Sequence, residues 1–452
     1  SREWKGLGAS LKVRNNRNLE RLFLYLNSYY PDFKSFKIDQ QSLYHAVFGT
    51  GPVDLKKIRY LFTDMQRAAE ELIANSVLSN EPETRRRLLA SELARRGAHK
   101  NYLSLYNKDA VTAGEDALPA SERFFADFRR EETHLLHYLS GQPRGETNIL
   151  QTDRNLDLFY IVKKLQFLCE MTNIKNVLAV EYTSELQNEI IGALQNGLYA
   201  DVPAVAAWYS VWLTLTAPEN EKHFIQLQKI LESSRRSFEQ QELRDLYQYL
   251  MNFCIRRINT GDTLYVSTLL AIYKLLLRDG ILLTDGLLSQ WDYKNITAVG
   301  IRAEEVEWTR AFIENYFSIL PRKDRQNAYT YNLAYYLFNT GNRSEALALL
   351  QKVEFKDLYY QLDARVILLK CYFEEGDEEA FFYHAAAFRL FIARNKQVSA
   401  YQKTVYRNLL RYSTKLLRAN GDRKKTESLK KEIERVRNIA DIGWLLRQFP
   451  VS

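Results

Sequence analysis

The spacing of the breaks constrains this chain more than any other feature. Amphipathic stretches of about 10 to 20 residues follow one another almost from end to end, and glycine or proline falls mostly between them. Only 18 glycines and 9 prolines occur in 452 residues, too few turn clusters to punctuate a sheet-rich chain. The length also exceeds the roughly 250–300 residues at which a single hydrophobic core stops growing. Both constraints point to an all-α protein assembled from successive helix pairs, each burying an apolar stripe against its neighbours.

Composition supplies the packing material. Hydrophobic residues make up 46% and charged residues 26%, and 29 Tyr and 23 Phe give thin helical layers a large area to bury. Cys169, Cys254 and Cys371 are far apart in the chain and odd in number, which fits neither a zinc cage nor a disulfide framework. A reducing, cytoplasmic compartment is therefore expected, a removed signal peptide aside; residues 1–8 lack an apolar signal core. The most apolar stretch, Val202 to Ala217, lies between Pro203 and Pro218 and falls short of the roughly 18 residues of a membrane span. It reads as a helix buried on several sides, and no membrane insertion is expected. The net charge of +8 is unevenly spread: residues 1–112 hold 19 Lys+Arg against 12 Asp+Glu, residues 401–452 hold 13 against 5, and the middle holds 31 against 38. Basic ends suit nucleic acid or an acidic partner, although surface helices also segregate charge for solvation alone.

Residues 1–112 read as an N-terminal basic helical module. A first helix runs from Leu19 to Tyr30 and stops at Pro31. A second follows the N-cap candidate Asp39 through Leu43, Tyr44, Val47 and Phe48 to the turn Gly49-Thr50-Gly51-Pro52. A third starts after Asp54 and aligns Leu55, Ile58, Phe62, Met65, Ala69 and Leu72, which leaves Lys56, Lys57, Arg59 and Arg67 off the apolar stripe. Three helices with a tight turn before a basic third resemble a helix-turn-helix unit. Together with Arg85, Arg86 and Arg87, those four cations are the candidate nucleic-acid contacts.

Residues 113–326 read as a degenerate helical-repeat region. The alternation of helix and short break begins earlier, from residue 83 onward: Gly97 separates the stretches Arg85–Arg96 and Ala98–Tyr106, longer helices are expected around Arg123–Tyr138 and Leu156–Met171, and Gly141 to Asp153 is the clearest linker. Further stretches cover Leu178–Leu194, Val205–Leu215, His223–Leu231, Glu242–Ile258, Thr263–Leu277 and Glu304–Leu320. From residue 327 onward a repeat becomes visible. Tyr331 to Val353 reads YNLAYYLFNTGNRSEALALLQKV, with small residues at Ala334 and Ala346 where paired helices must approach, and Gly341-Asn342 at the turn. A related unit, Leu362 to Phe388, places Gly376-Asp377 35 residues further on, and a third turn follows at Gly421-Asp422. This pattern resembles the tetratricopeptide repeat of about 34 residues, although Leu337 stands where that family usually has Tyr and the register is imperfect. The resemblance implies an α-solenoid of antiparallel helix hairpins, TPR-like, whose concave face binds protein segments. Residues 327–452 would then be TPR-like repeats, with Ile442, Trp444, Leu445, Leu446 and Phe449 folding back as a C-terminal cap or serving as a docking peptide.

Motifs for chemistry are lacking. Glu131, His134 and His137 share one helical face, and Glu-x-x-His is a ligand unit of di-iron bundles, but the chain has no second copy. His45, His99, His223 and His384 read as isolated, and no phosphate loop, GxSxG or HExxH occurs. The basic tail Arg423–Arg437 is interleaved with Glu427, Glu432 and Glu434, and Glu427 to Lys431 has the order of a helix-surface ion pair. No catalytic residue, cofactor or metal is expected. The expected function is a non-enzymatic scaffold or adaptor that binds a protein or peptide partner through Asn332, Tyr335, Tyr336, Tyr360, Arg365 and Tyr372. Two alternatives are a nucleic-acid-associated regulator reading through residues 1–112 and a structural subunit of a larger assembly.

Overall fold

The computed structural model describes residues 2–14, 16–31, 33, 39–80, 82–112, 118–140, 147–178, 180–351, 357–419, 422–436 and 438–449. Among them it is all-helical, with 22 α-helices, two single 3₁₀ turns and one two-stranded hairpin. The chain forms two compact units, the first comprising Ser1–Ala117 and Ser121–Tyr160, the second Leu118–Ala120 and Ile161–Ser452.

The first unit begins with α1 (Arg2–Val13), α2 (Arg17–Asn27), α3 (Gln40–Phe48) and α4 (Leu55–Asn80). Caps start them as the sequence dictates: Asn16 accepts from the amides of Asn18 and Leu19, and Asp39 from those of Gln41 and Ser42, each such cap contributing about 1 kcal/mol. Leu7, Leu11, Leu19, Leu22, Val47, Ile58, Leu61 and Met65 close one apolar core between the four helices. Gly8 makes this possible, because a Cβ there would lie 2.6 Å from the Phe23 ring. α5 (Pro82–Arg95) packs on α6 (His99–Thr112) across Gly97, whose φ of +70° is open to glycine at little cost. α7 (Ala120–Ser140) and α8 (Ile149–Leu178) complete the series, and the division between the units falls within α8.

The second unit continues with α9 (Gln187–Gln195), α10 (Pro203–Thr216), α11 (Glu221–Ser233), α12 (Gln240–Asn259) and α13 (Leu264–Arg278). The hairpin of β1 (Leu283–Thr284) and β2 (Leu287–Leu288) leads to α14 (Gln290–Arg302), α15 (Val306–Asn315), α16 (Arg325–Asn339), α17 (Arg343–Gln351), α18 (Leu358–Glu374), α19 (Glu378–Arg394), α20 (Ala400–Arg418), α21 (Arg423–Arg435) and the short α22 (Ile442–Arg447). Successive helices pack in pairs, α10 on α11, α12 on α13, α14 on α15, α16 on α17 and α18 on α19, and the leading helices α14, α16 and α18 also touch in turn. Gly341 and Gly376 turn between paired helices at φ of +90° and +73°, and Ala334 and Ala346 are fully buried where α16 meets α17. α10 is buried on several sides, at Ala204, Val205, Ala207, Trp208, Val211 and Leu215 among others.

Several local expectations shift. α1 has no counterpart in the sequence reading, because Gly6 and Gly8 disguise a helix in which Gly8 faces the Phe23 ring. On α4, Ile58 and Met65 are buried, but Leu55 and Phe62 are 42% and 40% exposed while Leu61 and Ala68 turn inward, a small rotation of the stripe. The stretch expected from Leu178 is broken: α8 ends there, Leu186 takes φ of +59°, and α9 starts at Gln187. α14 and the β-hairpin had no counterpart in the sequence reading. Of the linker at 141–153, residues 141–146 lie outside the described residues and Ile149–Asp153 opens α8; Val353 and Gly421 also lie outside them.

Candidate partner-binding site

The leading helices of the second unit carry a polar and aromatic face. Lys294 of α14 pairs with Asp363 of α18 and lies over the rings of Tyr331 at 5.3 Å, Tyr360 at 5.4 Å and Trp291 at 5.9 Å. An ammonium set between a carboxylate and three ring faces is held by Coulomb attraction and cation–π contact together. The Tyr360 hydroxyl donates to the Gln290 carbonyl at 3.0 Å, tying α18 to the start of α14. Burial pushes the Tyr331 phenol well up, and the Asp363 carboxylate adds to the effect, so it stays a neutral hydroxyl. Toward solvent this face shows Trp291, 40% exposed, and Tyr359, 52% exposed, whose rings meet edge-on at 6.0 Å.

A segment of the chain itself is seated on α18 and α20. After α21 the chain returns: the Asn408 side-chain amide of α20 donates to the Asn438 carbonyl at 2.8 Å, and the Ala440 N–H donates to the Val405 carbonyl at 3.3 Å. Asp441 then caps α22 in a left-handed conformation, φ +47° and ψ +49°, accepting from the Trp444 N–H at 3.3 Å. Its carboxylate pairs with Lys370 of α18, whose side chain is only 8% exposed. The Lys370 ammonium is flanked by Trp444 at 5.4 Å and by Phe338 of α16 at 5.7 Å. Trp444 meets Phe373 edge-on at 5.3 Å, and its indole N–H donates to Glu374 Oε1 at 2.7 Å. Arg343, at the start of α17, pairs with the same carboxylate. Ile439, Trp444, Leu445 and Phe449 are all buried. Each polar atom of the anchor finds its complement, which is what makes burying a lysine tolerable.

The six sequence-derived partner candidates differ in burial, and among them Tyr335 lies in the field of Asp441. Asn332, Tyr336 and Tyr360 are buried, with Asn332 donating to the Ala328 carbonyl at 2.8 Å and Arg310 lying over the Tyr336 ring. Tyr335, Arg365 and Tyr372 are half-buried; burial and the field of Asp441 raise the Tyr335 pKa, Arg365 stacks on Phe391 at 4.1 Å, and Tyr372 accepts from Gln351. Sequence reading missed Lys294, Asp363, Lys370 and Glu374. The one available signal was a lysine inside an otherwise apolar run, Val366 to Phe373.

In the first unit the candidate nucleic-acid contacts Lys56, Lys57, Arg59 and Arg67 are exposed along α4, with Tyr60 71% exposed on the same side. On α5, Arg85 is exposed and Arg86 and Arg87 are half-buried. The Glu131–His134–His137 face of α7 lies against α6. His99, read as isolated, approaches His137 with ring nitrogens 3.2 Å apart, Tyr106 stacks on His134 at 4.1 Å, and Tyr102 reaches the His134 Nδ1 at 3.3 Å. Burial raises the Glu131 pKa, but donation from Asn148, Tyr106 and Arg130 outweighs it and holds the carboxyl below its usual range. Burial and the neighbouring His99 and His134 lower the pKa of His137.

In the tail, Glu427 pairs with Arg423 one turn earlier, and Glu432 reaches across to Lys415 of α20. All three cysteines are buried free thiols whose pKa values burial pushes up, Cys254 and Cys371 to about 12. Among the described residues no group of three or more His, Cys, Asp or Glu is placed to hold a metal ion, and no helix is long and apolar enough to cross a membrane. No family model, curated protein or solved structure matches the chain.

Proposed function

We propose that the second unit is a TPR-like α-solenoid and works as a non-enzymatic scaffold, holding a short segment of a protein partner against α14, α16, α18 and α20. The observation that carries this reading is the seating of residues 438–449: α18 and α20, beside Tyr335 of α16, accept a short helical segment through one ion pair to a buried lysine, one indole and three aliphatic or aromatic side chains. Helix-in-groove recognition uses the same elements, apolar anchors on one side of a short helix with polar contacts fixing register. The exposed Trp291 and Tyr359 offer a further aromatic surface on α14 and α18. The test is cross-linking of the tagged full chain in its native cells, with and without nuclease, followed by mass spectrometry. Cross-links from a nuclease-resistant protein to α14–α20 support the reading; a partner held only through residues 1–112 overturns it.

The basic face of α4 favours a second reading, nucleic-acid contact through Lys56, Lys57, Arg59 and Arg67 with Tyr60 beside them. Duplex binding by four phosphate contacts would weaken with salt at a log–log slope of about −3.6. Replacing two of these lysines and arginines by glutamine should reduce that slope, and a salt-independent or absent affinity removes the reading.

A further inference from the structure

We infer that the seat of residues 438–449 is a shared site: the partner segment carries an acidic residue followed three positions later by tryptophan, and it binds by displacing this chain's own copy of that pattern. This deepens the scaffold reading above and rests on it.

The own segment defines the chemistry. Lys370 is set between Phe338 and Trp444 with its ammonium on Asp441, so an incoming chain must supply both a carboxylate and a large ring to keep that cation paired and covered. Glu374, held by Arg343, accepts the indole N–H at 2.7 Å, which selects tryptophan over phenylalanine. The backbone contacts at Val405 and Asn408 accept any residue and fix only direction.

The same geometry marks the seat as reversible. α22 has six residues and contributes little helical stability of its own. Its cap Asp441 takes a left-handed conformation that costs a non-glycine residue energy, and the Asp441 side chain of the anchoring pair remains 45% exposed. Gly443 and Arg447 face solvent, so the segment is held along one side only. A partner helix free of the left-handed cap can present the same two anchors without that strain. Closure by the own segment lowers apparent affinity by the fraction of chains that are open, so weakening it raises affinity in trans.

The test uses the full chain and its D441N/W444A variant, in which both anchors of the own segment are lost. A fluorescent peptide of residues 438–449 is titrated by anisotropy. The variant should bind it about tenfold or more tightly than the unaltered chain, and K370M in the variant background should abolish the gain. Circular dichroism and the melting curve of each variant establish that α14–α20 remain folded, and E374Q, which removes the charge of the indole acceptor and its ion pair with Arg343, gives an independent weaker-binding control. Equal affinity for both chains, or binding indifferent to K370M, overturns the proposal. Panning displayed random peptides on the same variant separates the two levels of the argument. Enrichment of Asp/Glu-x-x-Trp sequences dependent on Lys370 supports the shared site. Enrichment of other sequences that depend on Trp291 or Tyr359 sinks it and leaves the scaffold standing, and no enrichment at all removes both.

Discussion

Replacing Gly300 by alanine should destabilise the second unit, although the same change in an ordinary exposed helix interior stabilises by about 1 kcal/mol. Gly300 lies on α14 where α15 crosses it, and a Cβ there would come 2.2 Å from the Thr309 hydroxyl oxygen and 3.3 Å from its Cβ. Thr309 cannot step aside cheaply: it is fully buried, its hydroxyl donates to the Glu305 carbonyl at 2.7 Å, and a β-branched side chain has few rotamers in a helix. Overpacking of this kind costs about 1–3 kcal/mol, and breaking the hydroxyl bond adds about 1 kcal/mol. Against the propensity gain, the net loss should be about 1–3 kcal/mol. Urea unfolding followed at 222 nm would read this as a lower midpoint at unchanged slope. Thr309→Ala in the same chain removes the hydroxyl oxygen that makes the 2.2 Å clash and leaves only the 3.3 Å approach of its Cβ, so the double variant should recover most of the loss, with a coupling of about 1–3 kcal/mol between the two sites. A stabilised Gly300→Ala chain, or additive effects of the two changes, would refute the close crossing of α14 and α15.

Gly341→Ala should cost about 1–2 kcal/mol, since the φ of +90° forces a side chain into the left-handed region while the space around it is open; the midpoint of urea unfolding checks it. Glu131→Gln should weaken the first unit by about 1.5–3 kcal/mol at neutral pH, the range for hydrogen bonds to a charged group. Because the folded carboxyl titrates below its unfolded value, the contribution of Glu131 is present above the ordinary carboxylate range and lost as pH falls through the depressed value; the variant should show a flatter acid limb. The packing of α6 on α7 should loosen on acidification, because His137 binds a proton more readily when released than when buried beside His99 and His134. Its contribution is complete above about pH 6.5 and fades below it, so amide exchange in α6 should speed up between neutral pH and pH 5, and His137→Gln should remove that acceleration.

Much of the helical organisation was legible because it rests on local rules. Gly97, Gly341 and Gly376 each occupy a left-handed turn, Asp39 caps α3, and the small residues Ala334 and Ala346 sit at a helix crossing. The failures come from tertiary demands that leave no periodic trace. Gly8 and Gly300 look like helix breakers yet lie inside α1 and α14, since what they provide is the absence of a Cβ facing Phe23 and Thr309. On α4 the apolar set Leu55, Ile58, Leu61, Phe62 and Met65 covers more than one stripe, and only the neighbours α1 and α2 decide that Leu61 goes in and Phe62 stays out. Candidate site residues suffered the same way: tyrosines read as groove-lining are in part the core, and the groove's charges come from residues that no repeat pattern singles out.

The fate of Lys370 illustrates why such a site escapes sequence reading and still has consequences. A lysine in the run Val366 to Phe373 looks like an imperfection in an apolar helix face, and a methionine would pack there without needing a counter-charge. Retaining the cation makes the surrounding surface dependent on whatever chain lies over it: with Asp441 and Trp444 in place the ammonium is paired and covered, and without them it faces water from an aromatic bed. An apolar residue would bind any greasy helix in either direction. On the shared-site proposal, the lysine, together with Glu374 fixed by Arg343, would demand a carboxylate and an indole donor in one order along an incoming chain, and so convert a non-directional surface into one with register. Lys370→Met should therefore leave the fold intact or make it slightly more stable, and lose discrimination between a peptide with the acidic residue and tryptophan in the native order and the same peptide reversed. A lysine kept only for stability would give the opposite result, a weakened fold with no change in which peptides bind.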